Sequence, residues 1–226
     1  MKGVSCSIRQ GEIVGLIGPN GSGKTTLFNV ISGFLPPTEG TVHFHGQDIT
    51  AISPSKRAQM GIGRVFQNFG IFREMTLTEN ILVALEALPR EERRKMGDLR
   101  EVVDETLLTI GLSEKGGQKA GSLSGGQMRL LEIARTFAAG KELFLLDEPT
   151  AGVSPKMTSQ VADLIRTLQR SHRTVLIIEH DIPFIASLCD RVLVLDVGEI
   201  VLEGTPHEVQ QSEKLKEIYF GTHPVG

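Results

Sequence analysis

One stretch limits what this chain can fold into more than any other. Gly18-Pro19-Asn20-Gly21-Ser22-Gly23-Lys24-Thr25 fits the pattern G-x-x-x-x-G-K-[ST]. It follows an apolar run at 12–18, rich in β-branched residues, that reads as a buried strand. It precedes residues 24–32, where Leu27, Val30 and Ile31 fall at helical spacing and Gly33 suits the helix end. Glycines let backbone N–H groups converge on phosphate oxygens with no Cβ in the way. The helix N-terminus adds a partial positive charge at the same place. Gly18 to Thr25 and the following Thr26 are therefore the candidate nucleotide-binding residues. Lys24 is expected to reach the β- and γ-phosphates, and the Thr25 hydroxyl to bind Mg²⁺. This identifies a nucleoside triphosphate site and leaves open what the nucleotide drives.

A second motif supplies carboxylates. Leu143-Phe144-Leu145-Leu146-Asp147-Glu148 is an apolar strand that ends in two acids, and ligands of open α/β sheets bind at such strand ends. Asp147 is expected to hold Mg²⁺, and Glu148 to take the proton of an attacking water. From here the pattern alternates, with strands at 143–147, 174–179 and 191–196 and helices at 155–169 and 182–188. Alternation of this kind builds a parallel sheet with helices on its faces. A strand at 41–44, with a turn at Gly46, predicts a small antiparallel part near the N-terminus.

Between these halves, 69–138 reads as mostly helical. Thr78 is placed as the cap of a helix with Ile81, Leu82, Leu85 and Leu88 on its apolar stripe, stopped at Pro89. The charged run 89–95 (PREERRK) reads as a solvated connection. A further helix carries Val102, Val103, Thr106, Leu107 and Ile110 on one face and closes at Gly111. The fold class is thus α/β, a P-loop NTPase core with a helical insertion.

Composition narrows the function. Lys and Arg number 24 against 27 Asp and Glu, a net charge of −3 with one Tyr and no Trp, which disfavours a nucleic-acid surface or base-stacking platform. Cys6 and Cys189 match no metal-ligand spacing and suit a reducing compartment. No apolar run approaches the roughly 20 residues that span a bilayer, and residues 1–10 do not read as a signal peptide.

Leu123-Ser124-Gly125-Gly126-Gln127, followed by Leu130, Leu131, Ile133 and Ala134 at helical spacing, carries a resemblance. LSGGQ between the two earlier motifs is the signature of the ATP-binding cassette family, and the chain resembles an ABC-transporter ATPase subunit over nearly its whole length. Gln67 matches the family's Q-loop glutamine and His180, in Ile178-Glu179-His180-Asp181, its switch histidine. The resemblance implies one domain, 1–226, with the core at 1–68 and 139–226 and a helical subdomain at 69–138. It implies ATP and Mg²⁺ as ligands, Glu148, His180 and Gln67 as catalytic residues, and Thr25, Gln67 and Asp147 around the metal. Leu123 to Gln127 would face ATP held by a second ATPase chain, so that two nucleotides are sandwiched in a dimer. His180 would contact the γ-phosphate, and Gln67 would report metal occupancy to the helical lobe.

The resemblance also implies transmembrane permease subunits, an extracytoplasmic solute-binding protein and a peripheral position on the cytoplasmic face of the membrane. The stretch 64–80, with the segments around His180 and Glu203-Gly204-Thr205-Pro206, is similar to branched-chain amino-acid importer ATPases. Urea or amide import and lipopolysaccharide export remain open alternatives. A soluble ABC protein working on DNA or ribosomes is disfavoured by the single cassette and by the 57 positions between Gln67 and Ser124. A P-loop kinase or GTPase is disfavoured by the signature.

Three departures or details are expected to matter. Lys2-Gly3-Val4-Ser5 resembles the start of the family's second strand, so the first strand and the adenine-stacking aromatic have no counterpart, and a sheet edge is left exposed. Ser154 stands where many relatives have Asp and can cap the helix beginning at Pro155. A groove lined by 69–79, with Phe69, Ile71 and Phe72, is the expected docking surface for a permease helix.

Overall fold

In the computed structural model, residues 1–66 and 70–220 are described. Ile13–Ile17 (β1) is buried at every position, as a central strand covered on both faces must be. Lys24–Ser32 (α1) follows it, then the short hairpin His43–Phe44 (β2) and Gln47–Asp48 (β3), Pro54–Gln59 (α2) and Ile62–Val65 (β4). The helical stretch comprises Leu77–Glu86 (α3), Arg90–Met96 (α4), Leu99–Thr109 (α5) and Gly125–Ala138 (α6). The second half alternates Leu143–Asp147 (β5), Pro155–Arg170 (α7), Thr174–Ile178 (β6), Ile182–Leu188 (α8) and Arg191–Asp196 (β7). It ends with Glu199–Gly204 (β8), Pro206–Gln211 (α9) and Glu213–Phe220 (α10).

Six strands form one sheet in the order β4-β5-β6-β1-β7-β8. All neighbours are parallel except β7 and β8, an antiparallel hairpin. Side-chain alternation sends each strand into two apolar layers. Val14, Leu16, Leu145 and Leu176 pack with Leu27 and Phe28 of α1. Ile13, Ile17, Phe144 and Leu146 face the other way, into a cluster with Leu130, Leu131 and Ile133 of α6 and Val161, Leu164 and Ile165 of α7. Leu77, Ile81 and Leu85 of α3 and Val103 and Leu107 of α5 join that cluster. The register pairs Leu16 and Asp147 with Ile178, so β1, β5 and β6 end side by side.

Several boundaries differ from the sequence expectations. The cap of α3 is Thr76, not Thr78. Thr76 accepts from the Glu79 N–H while the Glu79 carboxylate accepts from the Thr76 N–H, a reciprocal pairing that fixes the helix start. The run 89–95, expected as a solvated connection, is solvated but forms helix α4 from Arg90, with Pro89 as its N-cap. It buries no residue, and its acids lie in the first turn with its bases in the last, as the helix dipole favours. The antiparallel strand is confined to His43–Phe44, with a turn through His45 and Gly46 at positive φ. Residues 2–5 form no strand; Lys2 donates one backbone bond to Gly198 and the segment runs beside β8, the sheet's edge.

Candidate nucleotide site

The loop between β1 and α1 is built by its own backbone and by one neighbour. Gly18 has φ +151°, and a Cβ there would lie 2.0 Å from the Leu195 carbonyl oxygen. Glycine is therefore required by the close approach of β7, not only by a ligand. Gly21 and Gly23 also have positive φ. The Ser22 N–H donates to the Pro19 carbonyl (3.2 Å), the Ser22 carbonyl accepts from the Gly198 N–H (2.8 Å), and the first helical bond runs from Leu27 to Gly23. The Tyr219 hydroxyl, from α10, accepts from the Gly18 N–H at 2.9 Å.

Two features of this loop fit a phosphate ligand. Among the described residues Ser22 Oγ is buried with no hydrogen-bond partner, an arrangement that folded chains avoid unless something else satisfies it. Lys24, although buried, points its ammonium back at the Gly18 and Pro19 carbonyls, at 2.7 and 2.9 Å. Those carbonyls occupy donors that a phosphate would take over. Burial lowers the Lys24 pKa, and the nearby Glu148 and Asp147 charges oppose that shift.

The end of β5 supplies the facing carboxylates. Asp147 is buried, which pushes its carboxyl above the usual carboxylate range against the pull of Arg64 at 3.6 Å. Arg64 also donates to Asn29 Oδ1 (2.7 Å) and Ser32 Oγ (3.0 Å), tying α1 to the strand end. The Thr25 hydroxyl and a desolvated Asp147 carboxylate are hard oxygen donors that suit Mg²⁺. Among the described residues no group of three or more His, Cys, Asp or Glu could hold a metal, so the cation would need phosphate oxygens as well.

Glu148 has φ +48°, a left-handed conformation that a non-glycine residue keeps only under constraint. Its Oε1 lies 2.9 Å from His180 Nε2. Lys24, Asp147, Glu148 and His180 thus meet where β1, β5 and β6 end. Glu179, to which the sequence pattern assigns no role, is buried and bonds both Thr150 and His180. Tyr219 and Arg64 were likewise missed, because nothing in local spacing announces partners so distant. Gln67, and Phe69 of the expected groove, lie outside the described residues.

Ser124 caps α6, with reciprocal bonds between its side chain and the Gln127 N–H and between the Gln127 side chain and the Ser124 N–H. Leu123 is buried in the core, and Gly126 packs so tightly on α7 that a Cβ would lie 2.7 Å from Met157. Ser124 is exposed and Gly125 and Gln127 are half-buried. The side-chain hydrogen bonds of Ser124 and Gln127 stay within the motif among the described residues. Ser154 is the N-cap of α7 with Pro155 at the first turn, but its side chain makes no capping bond.

Around the expected groove, Ile71 is core rather than surface, whereas Phe72 and Met75 are exposed. The buried Asn80 holds that loop: its amide donates to the Phe72 and Thr76 carbonyls and its oxygen accepts from the Phe72 N–H, all at 2.9 Å. Phe34 and Phe66, also exposed, meet edge to face at 5.9 Å beside the Arg64 guanidinium.

Comparison with known proteins gives a consistent result. A sequence model described as ABC transporter matches residues 1–151. The chain is 36% identical to the high-affinity branched-chain amino acid transport ATP-binding protein BraF of Pseudomonas aeruginosa, over 98% of this chain and 91% of the relative. It is 37% identical to the lipopolysaccharide export system ATP-binding protein LptB of Haemophilus influenzae, over 96% and 89%. The ADP conformation of MJ1267, an ATP-binding cassette of an ABC transporter, superposes with a TM-score of 0.85 at 36% identity, covering 96% of this chain and 91% of that one.

Proposed function

The chain belongs to the ABC transporter family and is an ATP-binding ATPase, and from that premise we propose that it powers a membrane importer of branched-chain or related amino acids. The similarity to BraF and the segments around His180 and Thr205 support this reading, and lipopolysaccharide export, whose ATPase is equally similar, is the alternative. The single observation that carries the ATPase assignment is the meeting of Lys24, Asp147, Glu148 and His180 at the ends of neighbouring strands.

The proposed mechanism follows from these residues. Backbone N–H groups of residues 18–26 and Ser22 Oγ bind the phosphates, and Lys24 exchanges its two carbonyl partners for phosphate oxygens. Thr25 and Asp147, with Gln67, would hold Mg²⁺, which neutralises phosphate charge. Glu148 accepts a proton from the attacking water, and His180, already hydrogen-bonded to it, orients that carboxylate and contacts the γ-phosphate. Residues 123–127 of a second ATPase chain complete each site, since Ser124 and Gly125 present a helix N-terminus outward. ATP then favours the closed dimer, and hydrolysis removes the bridging phosphate.

The helical part, 69–138, is the proposed transmitting subdomain, and the core is 1–68 with 139–226. Phe72 and Met75, with Phe34 and Phe66, offer exposed apolar surface for a permease helix. No helix among the described residues is long and apolar enough to cross a membrane, so attachment on the cytoplasmic face would run through permease subunits, with a solute-binding protein on the other side. The test is mass spectrometry of proteins that co-purify from gently solubilised native membranes. Multi-spanning permeases with an amino-acid-binding protein are expected; ribosomal, DNA-associated or lipopolysaccharide-export components would overturn the importer reading.

A further inference from the structure

Glu179 is 4% exposed, and burial of a carboxylate is costly unless its lone pairs are filled. They are filled from two loops. Oε1 accepts from the Thr150 N–H at 2.9 Å and from the Thr150 hydroxyl, and Oε2 accepts from the His180 N–H at 3.1 Å. Thr150 lies two residues beyond Glu148, and His180 is the next residue in the chain after Glu179.

The turn that this carboxylate grips is a strained one. Glu148 sits at φ +48°. Its N–H donates to the Ile178 carbonyl at 2.9 Å, and its carbonyl accepts from the Ala151 N–H at 3.1 Å. Those bonds fix the backbone of Glu148 on either side, the first of them to Ile178 in the segment that carries His180, and Glu179 ties the far side of the turn, at Thr150, to the same segment. We propose that Glu179 is a positioning residue that holds Glu148 and His180 in the mutual register seen in their 2.9 Å contact. It acts through its neighbours and spends its oxygens on protein donors. The proposal rests on the reading of Glu148 as general base.

If Glu179 is lost, the turn after β5 can relax toward right-handed geometry and the base leaves its place. The phosphate loop, built from β1 and α1, is untouched. A defect in turnover without a defect in nucleotide binding is therefore expected, which a general loss of structure would not give.

The test is steady-state ATPase kinetics and ATP binding by the full chain, for Glu179→Ala, Glu179→Gln, Thr150→Val and Glu148→Gln. Glu179→Ala is expected to lower kcat about tenfold or more, with KM and ATP affinity within about twofold. Glu179→Gln keeps one acceptor oxygen for Thr150 and should recover part of that loss. Thr150→Val removes one donor, should fall in the same direction by less, and should add nothing in combination with Glu179→Ala. Should Glu179→Ala fail to fold, the other two variants decide the question. Unchanged kcat in Glu179→Ala, or in both Glu179→Gln and Thr150→Val, overturns the proposal; so does an equal loss of ATP binding. Glu148→Gln separates the two ideas: retained turnover there overturns the general-base reading and the proposal with it, whereas its collapse beside an unaffected Glu179→Ala overturns the proposal alone.

Discussion

The two ends of the same sheet are built on opposite principles. At the amino ends of β1 and β7, charge is paired. Arg191 grips Glu12 with two bonds, at 2.7 and 2.8 Å, and also reaches Glu203 and the Ser7 carbonyl. That bonding holds the Glu12 carboxyl below the usual range and raises Arg191. Asp190 accepts from the Ile13 N–H and from Gln169. At the carboxyl ends of β1, β5 and β6, charge is left under-compensated. Asp147 is raised and Lys24 lowered by burial, Ser22 Oγ has no partner among the described residues, and Glu148 is held at positive φ. The paired end stabilises the fold, and the other keeps its groups available for a ligand, at a cost that the rest of the molecule absorbs.

Substitutions can break this contrast, and the largest effect belongs to the carboxyl end. Glu148→Gln should cut turnover about 10²-fold to 10⁴-fold while ATP binding persists and an ATP-bound dimer accumulates on size-exclusion chromatography. Lys24→Ala should instead lose ATP binding in titration calorimetry. Neither is expected to lower the thermal midpoint appreciably, because Lys24→Ala removes a desolvated charge and Glu148→Gln keeps the size of a partly exposed side chain. A large drop in the midpoint would contradict the contrast.

At the other end, Arg191→Ala should do the reverse. It strands the Glu12 carboxylate and should cost about 2 kcal/mol in urea unfolding, with kcat of the remaining folded protein unchanged. A catalytic defect there would erase the division between the two ends.

Tyr219→Phe probes the seam between a structural contact and the site. Loss of the acceptor for the Gly18 N–H is worth about 1 kcal/mol. It should appear as a few-fold rise in the KM for ATP with kcat intact, and an equal fall in kcat would show that the tyrosine does more than hold the loop.

The smallest effect is a pH dependence. Because Arg191 lowers the Glu12 pKa, the stability Glu12 contributes is full above its unfolded value, about 4.3, and is lost as pH falls through the lower folded value. Glu12→Gln should therefore be less stable than the parent at pH 7, and the two should converge in acid. Urea melts across that range decide it; a difference that grows in acid would reverse the sign.

Much of the molecule could be read from its residues because the governing interactions are local. The limits of α1 and α8 follow from spacing and caps within the segment, and the loop from Gly18 to Thr25 is folded largely by its own backbone. Apolar spacing alone puts the cap at Thr78, whereas the Glu79 carboxylate, reaching back, fixes it at Thr76. The run 89–95 reads as a solvated connection because it is strongly charged, yet a short charged helix forms where α5 lies beside it.

What the sequence alone determined is the class of site and the order of its parts: glycines where backbone must approach a phosphate, acids at a strand end, a capped helix between them. Which groups hold those parts in place depends on how the chain folds back on itself. Gly18 meets Tyr219 across 201 positions, Glu12 meets Arg191 across 179, and Thr150 meets Glu179 across 29. A hydrogen bond depends on where two atoms lie in space, and that is set by how parallel strands are ordered in the sheet, so no spacing along the chain encodes it.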